Sequence, residues 1–497
     1  METRTALFTV LPEPNLRFGP TGGKNEERHD PQCGLLEHGP YSLRLGNRWH
    51  PSRVVVYPVA STVEWTTCLE ALRRLEDFAR MDAKSARVRA DFPGFSNVFR
   101  TILTIEADQR RQSIPHEEFA KALATSSPAA GYKMALMAIT EALDRLGDIG
   151  PHGVVFLQLP ADIVDKFHRF DPDFKPVGER PKRRDKHQML LFEELLGEEE
   201  QAETLYHDLR RSIKAICMRR KVAIQLVTSN FVNEDEDCPW AGKLWNISTS
   251  IFCKAGGLPW RLATDEDVAY CGVRFGISKS GVGQSVLVGL AQLVNASGEL
   301  VALQSGQASR GSRRSEVGYY LTRDQARTLM IKALRDFEAV AGRLPQRVVV
   351  HKSSPFKAEE IDGMEQAASG IRELDLVYLK LSNTIRLLPD RGLPADRGSM
   401  VPTTEGSALL YTCGNVPQFS KWRGMHVPRP LEMVRARANR PLRSLAVDVL
   451  RLTKMDWNST VYDPFLPCTF ANATEMIGMM KELRENEALD PNLRYYI

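Results

Sequence analysis

Tyr206-His207-Asp208-Leu209-Arg210-Arg211-Ser212-Ile213-Lys214, then Lys221-Val222-Ala223-Ile224-Gln225-Leu226-Val227, then Ile251-Phe252-Cys253-Lys254-Ala255-Gly256-Gly257-Leu258-Pro259-Trp260, is the stretch around which the rest of this chain is arranged. Arg210 and Lys214 are four residues apart, so a helix stacks them on one face. Ile224 and Val227 flank Gln225 in a short apolar run that predicts a buried strand ending near a pocket. Lys254 closes a helix beginning near Trp245, with Gly256-Gly257 as its stop and Pro259 just beyond. A basic pair at this spacing is by itself more often a solvated helix face. The order of all four residues, with an amide at a strand and a third cation at a helix end, points instead to convergence on one oxyanion. Arg binds phosphate through a bidentate fork, Lys as a point charge, and Gln adds an uncharged donor.

The surrounding 497 residues set the frame. That length predicts two to four domains at about 150 residues each. Hydrophobic residues make up 43%, enough for large cores. No apolar run of about 18 residues suggests a membrane span, and the N-terminus lacks the basic region and apolar core of a signal peptide. The eight cysteines are scattered singly, without a C-x-x-C pair, so neither zinc nor a disulfide framework is expected and a cytoplasmic protein is. Net charge is only +4, so any nucleic-acid groove must be local.

Along the chain, Asp30 to Tyr41 is turn-rich and is expected to be a loop packed on a domain. Arg53–Val59, Ile102–Ile105, Gly153–Pro160 and Lys221–Val227 are expected strands. Val63–Met81, Glu117–Ala124 and Tyr132–Leu146 are expected helices, the first with Cys68, Leu69, Leu72, Leu75 and Phe78 on one face. Alternating strands and helices argue a parallel, Rossmann-like sheet, without a G-x-G-x-x-G that would support a dinucleotide site. Lys175–Lys186 is a basic loop; Glu198–Glu200 and Asn233–Asp237 are acidic ones. From about Thr264 the pattern changes. Val268–Ile277, Ser285–Val294 and Leu300–Gln304 predict a three-strand meander. A helix capped by Thr322 and Gln325 and stopped at Gly342 follows, then strand Arg347–Lys352, helix Glu359–Ala368 and strand Leu374–Lys380. That is the strand order of an RNase H-like domain.

Four stretches together resemble prokaryotic Argonautes. In their MID domain an aromatic, His or Arg, a Lys four residues on, a Gln about eleven further and a Lys before Gly-Gly-x-Pro-Trp hold the guide's 5′ phosphate. Arg210, Lys214, Gln225 and Lys254 fall on those positions. At Arg210, long Argonautes usually carry Tyr, so the resemblance implies a lost stacking surface and an added phosphate-binding charge. Asp30-Pro31-Gln32-Cys33-Gly34-Leu35, His351-Lys352-Ser353-Ser354-Pro355-Phe356 and Thr453-Lys454-Met455-Asp456-Trp457-Asn458 resemble further signatures of the family. The C-terminal carboxylate of Ile497 is implied to help a magnesium ion hold the guide phosphate. The resemblance thus implies an α/β chain: an N-terminal segment and Rossmann-like MID domain over residues 1–264, and an RNase H-like PIWI domain over 265–497.

A nuclease of that fold needs about four acidic or His ligands holding two metals. In active relatives the first strand reads roughly G-[IV]-D; here it reads Gly272-Val273-Arg274. His351, Lys352 and Ser353 stand at the second ligand position. Asp448, Asp456 and Asp463 are expected to be helix-end, turn and surface groups. Arg274, Lys352 and Ser353 are therefore degenerate catalytic positions, and no catalysis by this chain is expected. Arg310, Arg313, Arg314, His351, Lys352 and Lys380 are candidates for nucleic-acid backbone contacts. The resemblance to short Argonautes implies a short 5′-phosphorylated guide RNA, complementary DNA from an invading plasmid or phage, and no membrane. It also implies a heterodimer with an APAZ-bearing TIR, sirtuin-like or nuclease effector, which forms a higher oligomer on activation. The rival reading is a guide-dependent endonuclease.

Overall fold

The computed structural model describes residues 8–497 apart from 23–25, 47–48, 82–88, 169–201, 206, 234–238, 281–282, 296–299, 308–313, 316–317, 382–384, 388–393, 418–426, 463, 484–486, 488 and 491. The Lys175–Lys186 and Glu198–Glu200 loops and most of Asn233–Asp237 lie outside the described residues. Strand β1 (Thr9–Val10) comes first, then helix α1 (Pro31–His38). The expected loop at Asp30–Tyr41 is thus a helix for most of its length. Asp30 caps it by accepting from the Gln32 and Cys33 amides, Pro31 opens it and Gly39 closes it. Gly34 obscures this in the sequence. It is needed because a Cβ there would come within 2.1 Å of the Phe18 ring.

β2 (Arg53–Ser61), α2 (Trp65–Arg73), β3 (Ile102–Ile105), α3 (His116–Ala124), α4 (Pro128–Leu146) and β4 (Gly153–Leu159) begin the first sheet. After β5 (Ala202–Leu205) it is completed by α5 (Leu209–Arg219), β6 (Ala223–Thr228) and α6 (Trp240–Lys254). Strand order is β3–β2–β4–β6, all parallel. Every residue of β4 is buried. Val154 and Phe156 face the core of α2 and α6, while Val155, Leu157 and Leu159 face that of α3, α4 and α5. Helices on both faces explain the unbroken apolar run. The helix expected over Val63–Met81 stops early, at Arg73 plus one 3-10 turn, and Phe78 is 59% exposed. Asp77 turns extended there and Ala79 bridges to Phe92, which takes Phe78 off the apolar face.

The second sheet starts with β7 (Val268–Val273), β8 (Phe275–Ser280), β9 (Gly283–Asn295) and β10 (Leu300–Gln307). One strand was expected over Val268–Ile277, but it breaks at Arg274. Gly272 pairs with Gln292 and Phe275 with Val288, so two residues face three and the ladder bulges there. Next come α7 (Arg323–Ala341), β11 (Arg347–Lys352), α8 (Ala358–Ala367), β12 (Glu373–Lys380), β13 (Ser399–Thr404), β14 (Ser407–Leu410) and β15 (Leu431–Arg437). Helices α9 (Leu442–Thr453) and α10 (Cys468–Met480) complete the set. The capping box of Thr322 with Gln325 and the stop at Gly342 are both present. β7, β11 and β12 are parallel, and the order runs β1–β13–β14–β15–β12–β11–β7–β9–β8–β5, with β10 on β9. Two strands from residues 1–264, β1 and β5, thus pair into this sheet. Glu13 reinforces the join: it accepts from Arg397 Nε at 2.9 and 3.0 Å and lies 2.7 Å from Lys454 Nζ. Among the described residues no helix is long and apolar enough to cross a membrane.

Candidate functional site

The first cluster forms where α5, β6 and α6 meet the C-terminal residues. Asp208 caps α5 by accepting from the Arg210 amide at 2.8 Å. One turn further, Lys214 Nζ donates to the Tyr496 carbonyl at 2.9 Å and lies 4.0 Å from the Glu475 carboxylate. At the end of α6, Lys254 Nζ donates to Gln225 Oε1 at 2.6 Å and to Ser250 Oγ at 3.0 Å, and Ser250 Oγ donates to the same Gln225 oxygen at 2.8 Å. Gly256, at φ +94°, then ends the helix and turns the chain away. Ile497 is buried beside Tyr496, whose hydroxyl donates to the Asp490 carbonyl at 2.6 Å. The structure thus brings Lys214, Gln225 and Lys254 together with the Tyr496–Ile497 segment. Arg210 sits half-exposed one turn before Lys214 on α5.

Lys254 is only 2% exposed. Burial, with the Lys214 ammonium as a further cause, holds its pKa well below the ordinary lysine value. Burial also lowers Lys214; Glu475 opposes this, and Arg211 and Arg210 add to it. Lys254 is hydrogen-bonded to a neutral amide and a neutral hydroxyl, not to a carboxylate. Such a group lacks its compensating charge, and an oxyanion entering the cluster would supply it.

A second cluster sits at the C-terminal ends of β7 and β11. Val273 is in register with Lys352, and the Ser353 amide donates to the Val273 carbonyl at 3.2 Å, which sets Arg274 beside Ser353. Arg274 Nη1 donates to Thr474 Oγ1 on α10, and its guanidinium lies 5.5 Å from the Phe470 ring centroid. His351 and Lys352 are fully buried, which removes them as backbone contacts. Lys352 Nζ is 2.6 Å from both oxygens of Glu360 and sits near the Phe275 and Phe356 rings. His351 Nδ1 meets Thr469 Oγ1 at 3.1 Å. Lys380 is partly exposed, 3.8 Å from Glu432. Arg310 and Arg313 lie outside the described residues; Arg314 begins the short strand Arg314–Ser315. Asp448 is not a helix-end group. It lies buried within α9, where it accepts from Arg347 at 2.7 Å and from the Tyr270 hydroxyl at 3.0 Å. Asp456 does accept from the Asn458 amide in a turn, and Asp463 lies outside the described residues. Among the described residues, no three His, Cys, Asp or Glu side chains gather as a metal-ligating group.

No protein-family model matches the chain. Over 274 residues it is 26% identical to the protein argonaute of Thermus thermophilus, across 54% of this chain and 36% of that protein. Clostridium butyricum Argonaute bound to a guide DNA and a 19-mer target DNA superposes with TM-score 0.56 at 13% identity, over 99% of this chain and 54% of that one. Marinitoga piezophila Argonaute in complex with a 5′ OH guide RNA gives TM-score 0.56 at 11% identity, over 100% of this chain and 60% of that one. In sequence and in fold the chain is similar to Argonautes. It spans 36% of the curated relative's length and little more than half of the solved chains.

Two residues near these clusters, Ser250 and Glu482, escaped the sequence reading. Ser250 stands one turn before Lys254 on α6, so helical spacing alone could have flagged it. Glu482 had no local signal. It accepts from the Asp208 amide at 3.1 Å, from His207 Nδ1 at 3.0 Å and from Ser212 Oγ, tying the start of α5 to the segment after α10.

Proposed function

We propose that this chain holds the 5′ phosphate of a short guide RNA, presents the guide to complementary DNA, and leaves the response to a partner. The observation that carries this reading is the buried Lys254–Gln225–Ser250 triangle with Lys214 beside it on the Tyr496 carbonyl. A phosphate dianion would take charge-assisted bonds from both lysines in place of their carbonyl, amide and hydroxyl partners, with Arg210 one turn away on α5. Two of the similar solved structures hold guides, one DNA and one RNA, which supports the ligand class. The choice of RNA guide and DNA target rests on the resemblance to short Argonautes. Magnesium fits the protein's own donors poorly, because Arg210, Lys214 and Lys254 dominate the pocket. It would have to be held by guide phosphate oxygens together with the Ile497 carboxyl group, and it prefers such oxygen ligands.

The chain itself does not cut the target in this reading. Arg274 occupies the first-ligand place and bonds to Thr474, while Lys352 at the second is committed to Glu360. An APAZ-bearing companion with a TIR, sirtuin-like or nuclease effector then supplies the output. Equilibrium binding of labelled 5′-phosphorylated and 5′-hydroxyl guides tests the pocket. The phosphorylated guide should bind more tightly, and Lys214→Ala or Lys254→Ala should weaken it by about 1–3 kcal/mol. Equal binding of the two guides by the wild type would show the pocket to be misassigned.

A further inference from the structure

The guide reading uses the α5–α6 pocket and the C-terminal ends of β7 and β11. At the other end of the same sheet lies a polar cavity of about 190 Å3, lined chiefly by Arg347, Arg440, Arg443, Arg451, Glu266 and Asp448. Arg347 opens β11 and Lys352 ends it, so the cavity stands roughly 17 Å from the Arg274 cluster. Its wall is built rather than incidental. Arg347 is 4% exposed and fixed by Asp375 at 2.7 Å and Asp448 at 2.7 Å. Arg440 is held by Glu373, and Arg451 lies 3.7 Å from Asp448. Arg443 is exposed, four and eight residues before Val447 and Arg451 on one face of α9. It has no ion-pair or hydrogen-bond partner among the described residues. Four guanidiniums and two carboxylates line the cavity, and Asp375 and Glu373 behind it pair with Arg347 and Arg440, so among the described residues the cation that faces the cavity without a paired carboxylate is Arg443. Ser444, in the first turn of α9, adds a hydroxyl and the positive end of that helix.

We propose that this cavity binds one small phosphate-class anion, inorganic phosphate or diphosphate, clamped by Arg443 and Arg451 against the fixed Arg347. Guanidinium forks match phosphate oxygens in pairs. Size sets the class. The volume of about 190 Å3 takes several water-sized groups, room for a phosphate or diphosphate. It falls short of the ~300 Å3 at which pockets enclose larger organic ligands. The site is separate from the guide pocket and stands or falls independently of it.

Titration calorimetry of the full chain with sodium phosphate and, separately, sodium diphosphate, at constant ionic strength set by chloride, tests this. Lys254→Ala, in which the guide pocket is disabled, should still bind one small anion saturably, and the tighter of the two salts names the ligand. Arg443→Ala and Arg451→Ala should weaken binding by about tenfold or more, the scale of one lost charged hydrogen bond. Arg443→Lys should recover part of it. Arg443 is exposed and unpaired, so thermal denaturation of Arg443→Ala without anion should match the wild type. Absence of saturable binding, or equal binding by the arginine variants, would overturn the proposal. So would loss of the signal in Lys254→Ala, which would place the anion in the guide pocket. Competition by a 5′-phosphorylated oligonucleotide that persists in Lys254→Ala would reassign the cavity to nucleic acid and equally overturn it.

Discussion

Lys254 is the residue whose chemistry most constrains how the pocket works. Burial and the neighbouring Lys214 lower its pKa. Between that lowered value and the ordinary ~10.4, the unfolded chain binds more protons than the folded one, so this group's penalty on the guide-free fold shrinks as pH rises through that window. A phosphate dianion reverses the shift, because a nearby opposite charge favours the ammonium form. Guide binding should therefore take up protons, and affinity for a 5′-phosphorylated guide should fall as pH rises from the lowered value toward the ordinary lysine value of ~10.4. Calorimetry in buffers of different ionisation enthalpy measures the uptake directly. In Lys254→Ala the pH dependence should flatten, and for a 5′-hydroxyl guide it should be slight in both proteins. An unchanged profile in Lys254→Ala would assign the proton to another group.

At the scale of elements, β11 shows what a sequence discloses and what it hides. Its existence, like that of β2, β3 and β4 and the capped helix α7, was legible because apolar period and turn chemistry act locally. Lys214, Gln225 and Lys254, which the structure gathers, were legible through their order and the family resemblance, because spacing alone makes the Arg210–Lys214 pair a solvated helix face. The fate of His351 and Lys352 was not. A basic pair at a strand end suggests a surface, yet all six residues of β11 are buried. Lys352 stays there only because Glu360, from the following helix α8, reaches back to it at 2.6 Å. Burial lowers Lys352 to about 8 even though Glu360 pulls it upward. Removing one partner of such a pair strands the other charge. Lys352→Met should destabilise the fold by about 3–5 kcal/mol in denaturant unfolding. Adding Glu360→Gln should recover a good part of that loss. Gln discards the stranded charge but keeps an acceptor for only one of the Leu321 and Lys357 amides, which bond to different oxygens of Glu360 at 2.7 and 2.9 Å, so the recovery is partial. A double variant no more stable than Lys352→Met would mean that shape, not charge, sets the cost.

For the whole molecule the proposed function raises the question of what faces the far side of a guide–target duplex and what reports it. A duplex of about 20 base pairs held through its backbone needs a positively charged channel. The net charge here is +4, so few cations are in excess for counterion release. Those expected on the second sheet are partly withdrawn: His351 and Lys352 are in the core, and Lys380 faces Glu432. The other wall, and the output, are therefore expected from a companion chain. Target pairing would shift that companion between two states through different contacts in each. Co-expression with the product of the adjacent reading frame should give a complex that co-elutes in size exclusion. Guide plus complementary DNA should then trigger NAD loss or indiscriminate nuclease activity only with both chains present. With this chain alone, guide and target should yield no cut product in magnesium or manganese. Restoring one ligand by Arg274→Asp should not change that, because Lys352, Ser353 and Thr474 still surround the position. EDTA-sensitive cleavage by the lone chain, or a companion that never co-purifies, would sink the two-chain account and favour a self-sufficient nuclease.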